Sequence, residues 1–164
     1  MSESQGCKYT PKTKEELEKL VRDSKVYLGD IDTSYITDMS NLFMCSKRMD
    51  FSGIEKWDVS NVTNMSGMFL WEKSFNQPLN TWNVSKVTDM FAMFHGATSF
   101  NQPLDSWDVS NVIDMKCMFY GAESFNQSLE SWNVCSVRNF KSMFAKSAQK
   151  ILPHWYAKLN WILQ

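Results

Sequence analysis

The sequence lacks the features that would assign it to several common functional classes. It has 17 Lys and Arg against 18 Asp and Glu, so it has no excess of cations with which to bind a phosphate backbone. No apolar run approaches the roughly 20 residues that a membrane-spanning helix needs. We therefore expect no nucleic-acid partner and no membrane span.

Cysteine and histidine are also scarce. The four cysteines, Cys7, Cys45, Cys117 and Cys135, have neither the close paired spacing of a zinc site nor the density of a disulfide scaffold. There are 2 histidines, and neither a glycine-rich phosphate loop nor a nucleophile elbow occurs. We expect reduced thiols, no metal site, no cofactor and no enzymatic activity.

The first residues have no secretion signal of the usual kind. Residues 1–7 contain neither the basic stretch nor the apolar stretch of a signal peptide. A chain of 164 residues is long enough for one domain with a sizeable core. We expect a single folded unit without a signal peptide, and these residues leave its cellular compartment unknown.

Bulky apolar residues are abundant, and they recur with a fixed period. The chain has 7 Trp, 11 Phe and 11 Met. Steps of 25 residues separate the members of three sets, which are Trp57, Trp82, Trp107 and Trp132; Met68, Met93, Met118 and Met143; and Phe69, Phe94, Phe119 and Phe144. A fixed period over many positions indicates a repeat protein in which these residues form a shared core.

Five repeats can be aligned, and each is predicted to contain a short strand and a short helical turn. They begin at Ile31, Trp57, Trp82, Trp107 and Trp132. In the third repeat, residues 82–84 alternate as a strand does, and residues 89–96 have an N-cap, apolar residues at helical spacing and a final glycine. We predict an α/β solenoid of about five stacked coils of ~25 residues.

Each end of the predicted solenoid has a segment that would cover the exposed core as a helix. Thr13–Glu16 has the form of a capping box, and Trp155, Leu159 and Ile162 follow Pro153 at helical spacing. The predicted divisions are a flexible tail at residues 1–12, a cap helix and lead-in at 13–30, five repeats at 31–148, and a C-terminal cap helix at 149–164.

The repeat resembles that of a known family. The phrase Trp-Asp/Asn-Val-Ser-x-Val-x-Asp/Asn-Met-x-x-Met-Phe, with Gly-Ala-x-Ser-Phe-Asn-Gln in two copies, is similar to the repeat of the BspA-like leucine-rich-repeat surface proteins of bacteria. The run from Asp30 to Met39 is similar to the same family. The resemblance covers residues 13–148. It implies leucine-rich-repeat-like coils and a place at the cell surface, in a family whose members mostly lack an assigned activity.

Polar residues that point outward from the predicted strands form a candidate binding face, which we call the acidic strip. Its members are Asp32, Glu55, Asp58, Asn83, Asp105, Asp108, Glu130 and Asn133. Outward positions on a strand are free of core packing. The strip has three possible interpretations: a solvated surface without a ligand, a contact surface for a protein or a glycan, and a site for a hard cation such as calcium.

Two further sets of residues are candidates for a shared role. The first lies on one side of the predicted coils, and the second recurs at the repeat period. Trp71, Phe91 and Tyr120, on the side of the predicted helical turns, form a second candidate patch. Asn76, Asn101 and Asn126 are predicted to form a polar ladder between repeats. The Trp, Met and Phe columns are assigned to the core.

The expected function is a non-enzymatic interaction module of bacterial surface-protein type, with a protein or a glycan as its partner. This expectation follows from the extended repeat surface and from the family resemblance. Two alternatives stay open: a structural spacer or scaffold without a specific ligand, and a metal-dependent enzyme. The identity of the partner and the oligomeric state are unknown at this stage.

Overall fold

Regular secondary structure is sparse in the computed structural model, which describes residues 7–157. One α-helix, α1, spans Lys14–Arg22. Single turns of 3-10 helix span Leu28–Asp30 and Ile54–Lys56, and residues 154–157 form a helical turn. Within residues 7–157 there is no β-strand, only isolated parallel bridges, most of which join one repeat to the next.

The prediction of an α/β solenoid built from strand-plus-helix coils is therefore wrong. Residues 89–96, predicted as a helical turn, are a run of tight turns, and residues 82–84 form no strand. Ala92 and Gly96 have φ of +51° and +69°. A residue in the left-handed region cannot continue a right-handed helix, so the segment bends at both points. Leucine-rich-repeat coils are likewise absent from residues 7–157.

Each repeat is instead a chain of turns that is hydrogen-bonded to the next repeat. In the second repeat, alternate N–H groups from Met65 to Trp71 donate to alternate carbonyls from Asp89 to His95, at 2.7–2.9 Å. The N–H groups between them close turns inside the repeat, as Met68 does on the carbonyl of Met65. The same bonds recur between the later repeats. The repeats therefore form a stack in parallel register.

Two positions in each repeat have left-handed backbone, with φ between 51° and 69°. One position is occupied by Asn41, Gly67, Ala92, Cys117 and Ser142, and the other by Cys45, Trp71, Gly96, Gly121 and Lys146. Glycine adopts this conformation freely, whereas a bulky side chain is strained in it. Most of these residues are small, and Trp71 is the largest exception.

The periodic apolar residues lie inside the stack. The four tryptophans that open repeats two to five are 3–4% exposed. Their indole N–H groups donate to backbone carbonyls 28 or 29 residues earlier, at 2.8–3.1 Å. Phe69, Phe94, Phe119 and Phe144 stack with ring centroids 5.5–5.7 Å apart. The core is continuous across repeats, so no repeat can bury its apolar face alone.

Helix α1 lies against the first repeat. The Thr13 hydroxyl accepts the Glu16 N–H at 3.3 Å and caps the helix, and Leu17 and Val21 are buried. The Lys14 ammonium reaches Asp38 of the first repeat at 3.3 Å. In the stretch predicted as a flexible tail, the N–H groups of Lys8 and Tyr9 donate to the carbonyl of Asp30, at 2.8 and 3.0 Å.

Two aromatic residues cover the last repeat. The Trp155 indole donates to the carbonyl of Leu129 at 2.8 Å, as the repeat tryptophans do to earlier carbonyls. Tyr156 packs edge-on against Phe144, with centroids 5.0 Å apart. Leu159 and Ile162, assigned to the predicted C-terminal cap helix, lie outside the described residues. Among residues 7–157, none of the helices has the length and apolar character to cross a membrane.

Candidate functional site

The five Asp and Asn residues of the acidic strip that share one repeat position use their side chains to build turns. In Asp32, Asp58, Asn83, Asp108 and Asn133, the side-chain Oδ1 accepts the backbone N–H two residues later, at 2.9–3.2 Å. This geometry is an Asx turn. Asp32 is half-buried and the other four are exposed, so each keeps a further side-chain atom available to solvent.

The flanking residues of the strip are bound in different ways. The Glu55 carboxylate accepts the Gly53 N–H at 2.9 Å, whereas Asp105 is exposed. The Glu130 carboxylate accepts the backbone N–H of His154 at 3.2 Å and lies 3.3 Å from its ring nitrogen Nδ1. The strip side chains therefore lie in separate turns, which recur at the repeat spacing.

Electrostatics of the strip are local to each turn. Hydrogen bonds from Ser34 lower the pKa of Asp32, and hydrogen bonds from Ser110 lower the pKa of Asp108 in the same way. Within residues 7–157, no three side chains of the types that ligate metals come together. The carboxylates instead follow one another at the repeat spacing.

A second column of Asp and Asn residues makes the same kind of turn. Its members are Asp38, Asn64, Asp89, Asp114 and Asn139, and each Oδ1 accepts the N–H two residues later at 2.7–3.3 Å. One of them, Asp89, is the predicted N-cap of the helical turn at residues 89–96, and the others hold the equivalent position in their repeats. They do accept a backbone N–H, but the segment that follows each one is a turn instead of a helix.

Ring side chains from three consecutive repeats line one column on the stack. The Trp71 and His95 rings, and the His95 and Tyr120 rings, are each 4.8 Å apart between centroids. The Lys146 ammonium lies 5.3 Å from the centre of the Tyr120 ring. We call Trp71, His95, Tyr120 and Lys146 the aromatic column. Phe91, predicted in the same patch, makes no ring contact with it and lies 5.9 Å from the ammonium of Lys116.

Trp71 is the unusual member of the column. Its side chain is 49% exposed although its backbone is left-handed, with φ of +59°. The indole covers Gly96, where an added Cβ would lie 2.3 Å from the Trp71 Cε3 atom. Such a backbone costs roughly 1–3 kcal/mol for a bulky residue, and strain of this kind concentrates at functional positions. Glycine holds the equivalent positions 96 and 121 without strain.

His95 was missed by the sequence analysis, which found only two unpaired histidines. It is half-buried between Trp71 and Tyr120, and this burial lowers its pKa, which favours the neutral ring. The neighbouring contact with the Tyr120 hydroxyl raises the pKa of Lys146. The repeat alignment could have predicted the contact of His95 with the other rings. Positions 95 and 120 are equivalent in the repeat, and position 71 adjoins the same column.

Glu72 adjoins Trp71 and is 4% exposed. Its Oε1 accepts the Ser74 hydroxyl at 2.9 Å, and its Oε2 has no partner among residues 7–157. Burial raises the pKa of this carboxyl. Ala97 and Ala122 occupy the equivalent buried position in the next two repeats. In the sequence, only that difference from the other repeats marks this buried acid.

Comparison with known protein families places the chain in a family. A family described as "Mycoplasma protein of unknown function, DUF285" matches residues 15–78 and 37–155. The chain belongs to the DUF285 family. No curated protein and no solved structure matches it.

Both candidate surfaces of this DUF285 protein lie within the matched residues. The match is consistent with the resemblance to BspA-like surface proteins. Because the DUF285 description assigns no activity, the function has to be argued from the surfaces themselves.

Proposed function

We propose that the chain is a non-enzymatic interaction module of bacterial surface-protein type, which binds a protein or a glycan through the aromatic column. The observation that carries this proposal is Trp71, a half-exposed indole in a strained backbone at a position where the third and fourth repeats have glycine. Backbone strain of this kind concentrates at ligand-binding positions, and about half of the Trp71 surface is available for a ligand contact.

The chemistry of the column suits an amphipathic ligand. The three rings offer apolar faces, and the Tyr120 hydroxyl, the His95 ring nitrogens and the Lys146 ammonium supply hydrogen-bonding groups beside them. Tryptophan and tyrosine are enriched at binding surfaces because they combine a large apolar area with a polar atom. Proteins and glycans both present apolar C–H groups next to polar groups.

The backbone under the column is held in place before any ligand arrives. The Trp71 N–H donates to the carbonyl of His95 at 2.8 Å, and the Gly96 N–H donates to that of Tyr120 at 2.8 Å. A surface that is already ordered loses little conformational entropy on binding. The bonds between repeats therefore favour recognition at this column.

A comparison of two variants tests the proposal. Trp71→Gly removes the indole and places a residue suited to φ of +59°. The double variant Asp58→Asn and Asp108→Asn removes two charges of the acidic strip but keeps the turns, because Asn83 and Asn133 already make them. Each purified protein is presented to host and bacterial lysates and to an immobilised glycan panel.

We expect Trp71→Gly to weaken retention of the ligand at least tenfold, and the strip variant to retain it as the wild type does. The lysate and glycan arms distinguish the two ligand classes. Loss of binding in the strip variant alone would move the site to the acidic strip. A spacer without a ligand predicts no specific retention in any arm. A metal-dependent enzyme predicts substrate turnover that chelation abolishes.

A further inference from the structure

The polar ladder has a repeated hydrogen-bond pattern that defines the chemistry of its partner. The Asn101 N–H donates to Asn76 Oδ1 at 2.9 Å. The Gln102 side-chain amide donates to the Asn76 carbonyl and to Asn76 Oδ1, both at 3.1 Å. Asn126 and Gln127 repeat these bonds on Asn101, at 3.0, 3.2 and 2.9 Å. Asn76 and Asn101 thus each receive three hydrogen bonds from the Asn-Gln pair of the next repeat.

Among residues 7–157, the last member of the ladder, Asn126, has no such partner. In the fifth repeat, Lys150-Ile151-Leu152 stands where repeats two to four have Phe-Asn-Gln. Within residues 7–157, no hydrogen bond is donated to the carbonyl or to the Oδ1 of Asn126. In this segment the Gln149 side-chain amide donates to the carbonyl of Ile151 at 2.8 Å.

A cavity of about 300 Å³ lies at this end of the ladder. It is lined by Asn126, Leu129, Glu130, Gln149, Ile151 and Pro153, among others. The Gln149 Oε1 is buried and has no hydrogen-bond partner within the described residues. Ile151 is 81% exposed. The cavity therefore combines unpartnered acceptors with an exposed apolar side chain.

We propose that this cavity binds a peptide segment of another protein chain that carries an Asn-Gln pair. The backbone N–H of the peptide asparagine would donate to Asn126 Oδ1, and the glutamine amide would donate to the carbonyl and Oδ1 of Asn126. These are the three bonds that Asn101 and Gln102 make to Asn76 inside the stack. The segment adds to the open end of the ladder as a further repeat would.

The charge around the cavity sets which peptides fit. The Glu130 carboxylate lies in the lining, and the unpartnered atoms of Asn126 and Gln149 are acceptors. A carboxylate in the peptide would face these acceptors without a hydrogen to donate, and the Glu130 charge would repel it. An Asp-Glu pair of nearly the same shape should therefore be rejected.

The experiment is a titration of the full, isotopically labelled chain with the synthetic peptide Ser-Phe-Asn-Gln-Pro-Leu, the sequence of residues 99–104. NMR signals of the Asn126 and Gln149 side-chain amides report occupancy of the cavity. The control peptide is Ser-Phe-Asp-Glu-Pro-Leu. We expect both signals to shift with the first peptide, and the control peptide to bind at least tenfold more weakly.

Two variants locate the contact. Asn126→Ala removes the Oδ1 acceptor at an exposed position and should weaken peptide binding at least tenfold. The exposed residue Asn80 gives the matched control Asn80→Ala, which should leave binding unchanged. If Asn126→Ala loses its dispersed spectrum, the comparison of the two peptides on the wild type still decides the outcome.

Absence of shifts at Asn126 and Gln149, or equal shifts with both peptides, would overturn the proposal. Self-association that depends on Asn126 and is not competed by the peptide would also overturn it, because a second copy would then occupy the cavity. Trp71→Gly should leave peptide binding unchanged. Failure of ligand binding at the aromatic column can therefore be distinguished from failure of peptide binding at this cavity.

Discussion

Two tryptophans of this chain show how position within the repeat decides the role of a residue. Trp107 is 3% exposed, and its indole N–H donates to the carbonyl of Leu79 at 2.9 Å. Trp71 is 49% exposed and sits in strained backbone. The first should therefore dominate stability, and the second should contribute little to it.

Trp107→Ala should lower the free energy of unfolding by about 3–5 kcal/mol, because it removes a large buried side chain in the middle of the stack. Urea unfolding followed by circular dichroism measures this loss. Trp71→Ala is the control and should cost about 1 kcal/mol or less, as expected of a half-exposed residue. A loss of under 1 kcal/mol for Trp107→Ala would contradict the shared core.

Asp58 tests whether the acidic strip has a role in the fold. Asp58→Ala removes the acceptor of the Ser60 N–H, whose bond is 2.9 Å long, and should cost about 0.5–1.5 kcal/mol. Asp58→Asn keeps an acceptor, so it should lose only a small part of the free energy of unfolding that Asp58→Ala loses. Thermal unfolding of the three proteins side by side gives the comparison. Equal losses in both variants would show that the charge, and not the turn, matters.

The burial of Glu72 predicts how the stability of the folded chain depends on pH. Burial raises its pKa above the usual value of 4.5, so the folded chain binds this proton more tightly than the unfolded chain. The stability that this group contributes is fully present below pH 4.5 and is lost as the pH rises through the raised pKa. Glu72→Gln is neutral throughout and should be more stable than the wild type at pH 7.

The measurement is urea unfolding of wild type and Glu72→Gln from pH 4 to pH 7. The difference between them should grow with pH. The exposed residue Glu123 supplies the control, because Glu123→Gln should show no such trend. A difference that stays constant across this range would mean that Glu72 titrates as an exposed carboxyl does.

At the scale of elements, one side chain ties α1 to the repeats. The Arg48 guanidinium is buried and donates to the carbonyls of Val21 at 3.1 Å and Asp23 at 3.0 Å, as well as to that of Val26. Its Nε donates to the carbonyl of Asp50 at 2.7 Å. The carbonyls of Val21, Asp23 and Val26 lie at or just after the end of α1, where backbone acceptors lack helical partners.

Arg48→Met should lower the free energy of unfolding by about 3 kcal/mol, because it leaves several buried carbonyls without a donor. Hydrogen exchange should also speed up at the amides of Leu17 and Val21 more than at those of the third repeat. Arg22→Met, at an exposed arginine paired with Glu18, should change stability by less than about 0.5 kcal/mol. Uniform acceleration of exchange would show that α1 and the repeats unfold as one unit.

At the scale of the whole molecule, the period of 25 residues is also the register of the backbone bonds. Deletion of residues 82–106 joins Thr81 to Trp107 and restores the local sequence order of a repeat boundary. The shortened chain should fold with lower stability, because one interface between repeats is lost.

Deletion of residues 82–94 is the control, because it removes only about half of a repeat. It joins Thr81 to His95 and leaves half a repeat between two whole ones, so the core residues on either side no longer stand one repeat apart. Circular dichroism and thermal unfolding should show a cooperative transition for the first deletion and none for the second. Cooperative folding of both would mean that the bonds between repeats do not set the register.

Much of the core could be predicted from the sequence, whereas the local backbone could not. Trp82 and Phe94 recur at a fixed step, and identical residues at identical steps must meet their copies in any stacked repeat. The prediction of a helical turn at residues 89–96 was wrong, because the spacing of apolar residues does not reveal that Ala92 adopts φ of +51°. An alanine gives no local signal for left-handed backbone, which here is imposed by bonds to the neighbouring repeats.

The candidate sites divide in the same way. The polar ladder of Asn76, Asn101 and Asn126 was predicted, and the bonds between its members confirm it. The contact of His95 with Trp71 was not predicted, because it joins residues 24 apart in different repeats and depends on the direction of two side chains. The Glu72 Oε2 atom, which has no partner within residues 7–157, could not be predicted either, because this also depends on the direction of a side chain.

The sequence by itself determined the number of repeats, their step and the identity of the buried columns, because these depend only on which residue types recur. Tertiary structure alone decided that the repeats are chains of turns, that the strip residues are held in those turns, and that the ladder ends beside a cavity. Those features depend on where each backbone N–H finds its acceptor, and most of the acceptors lie in the next repeat.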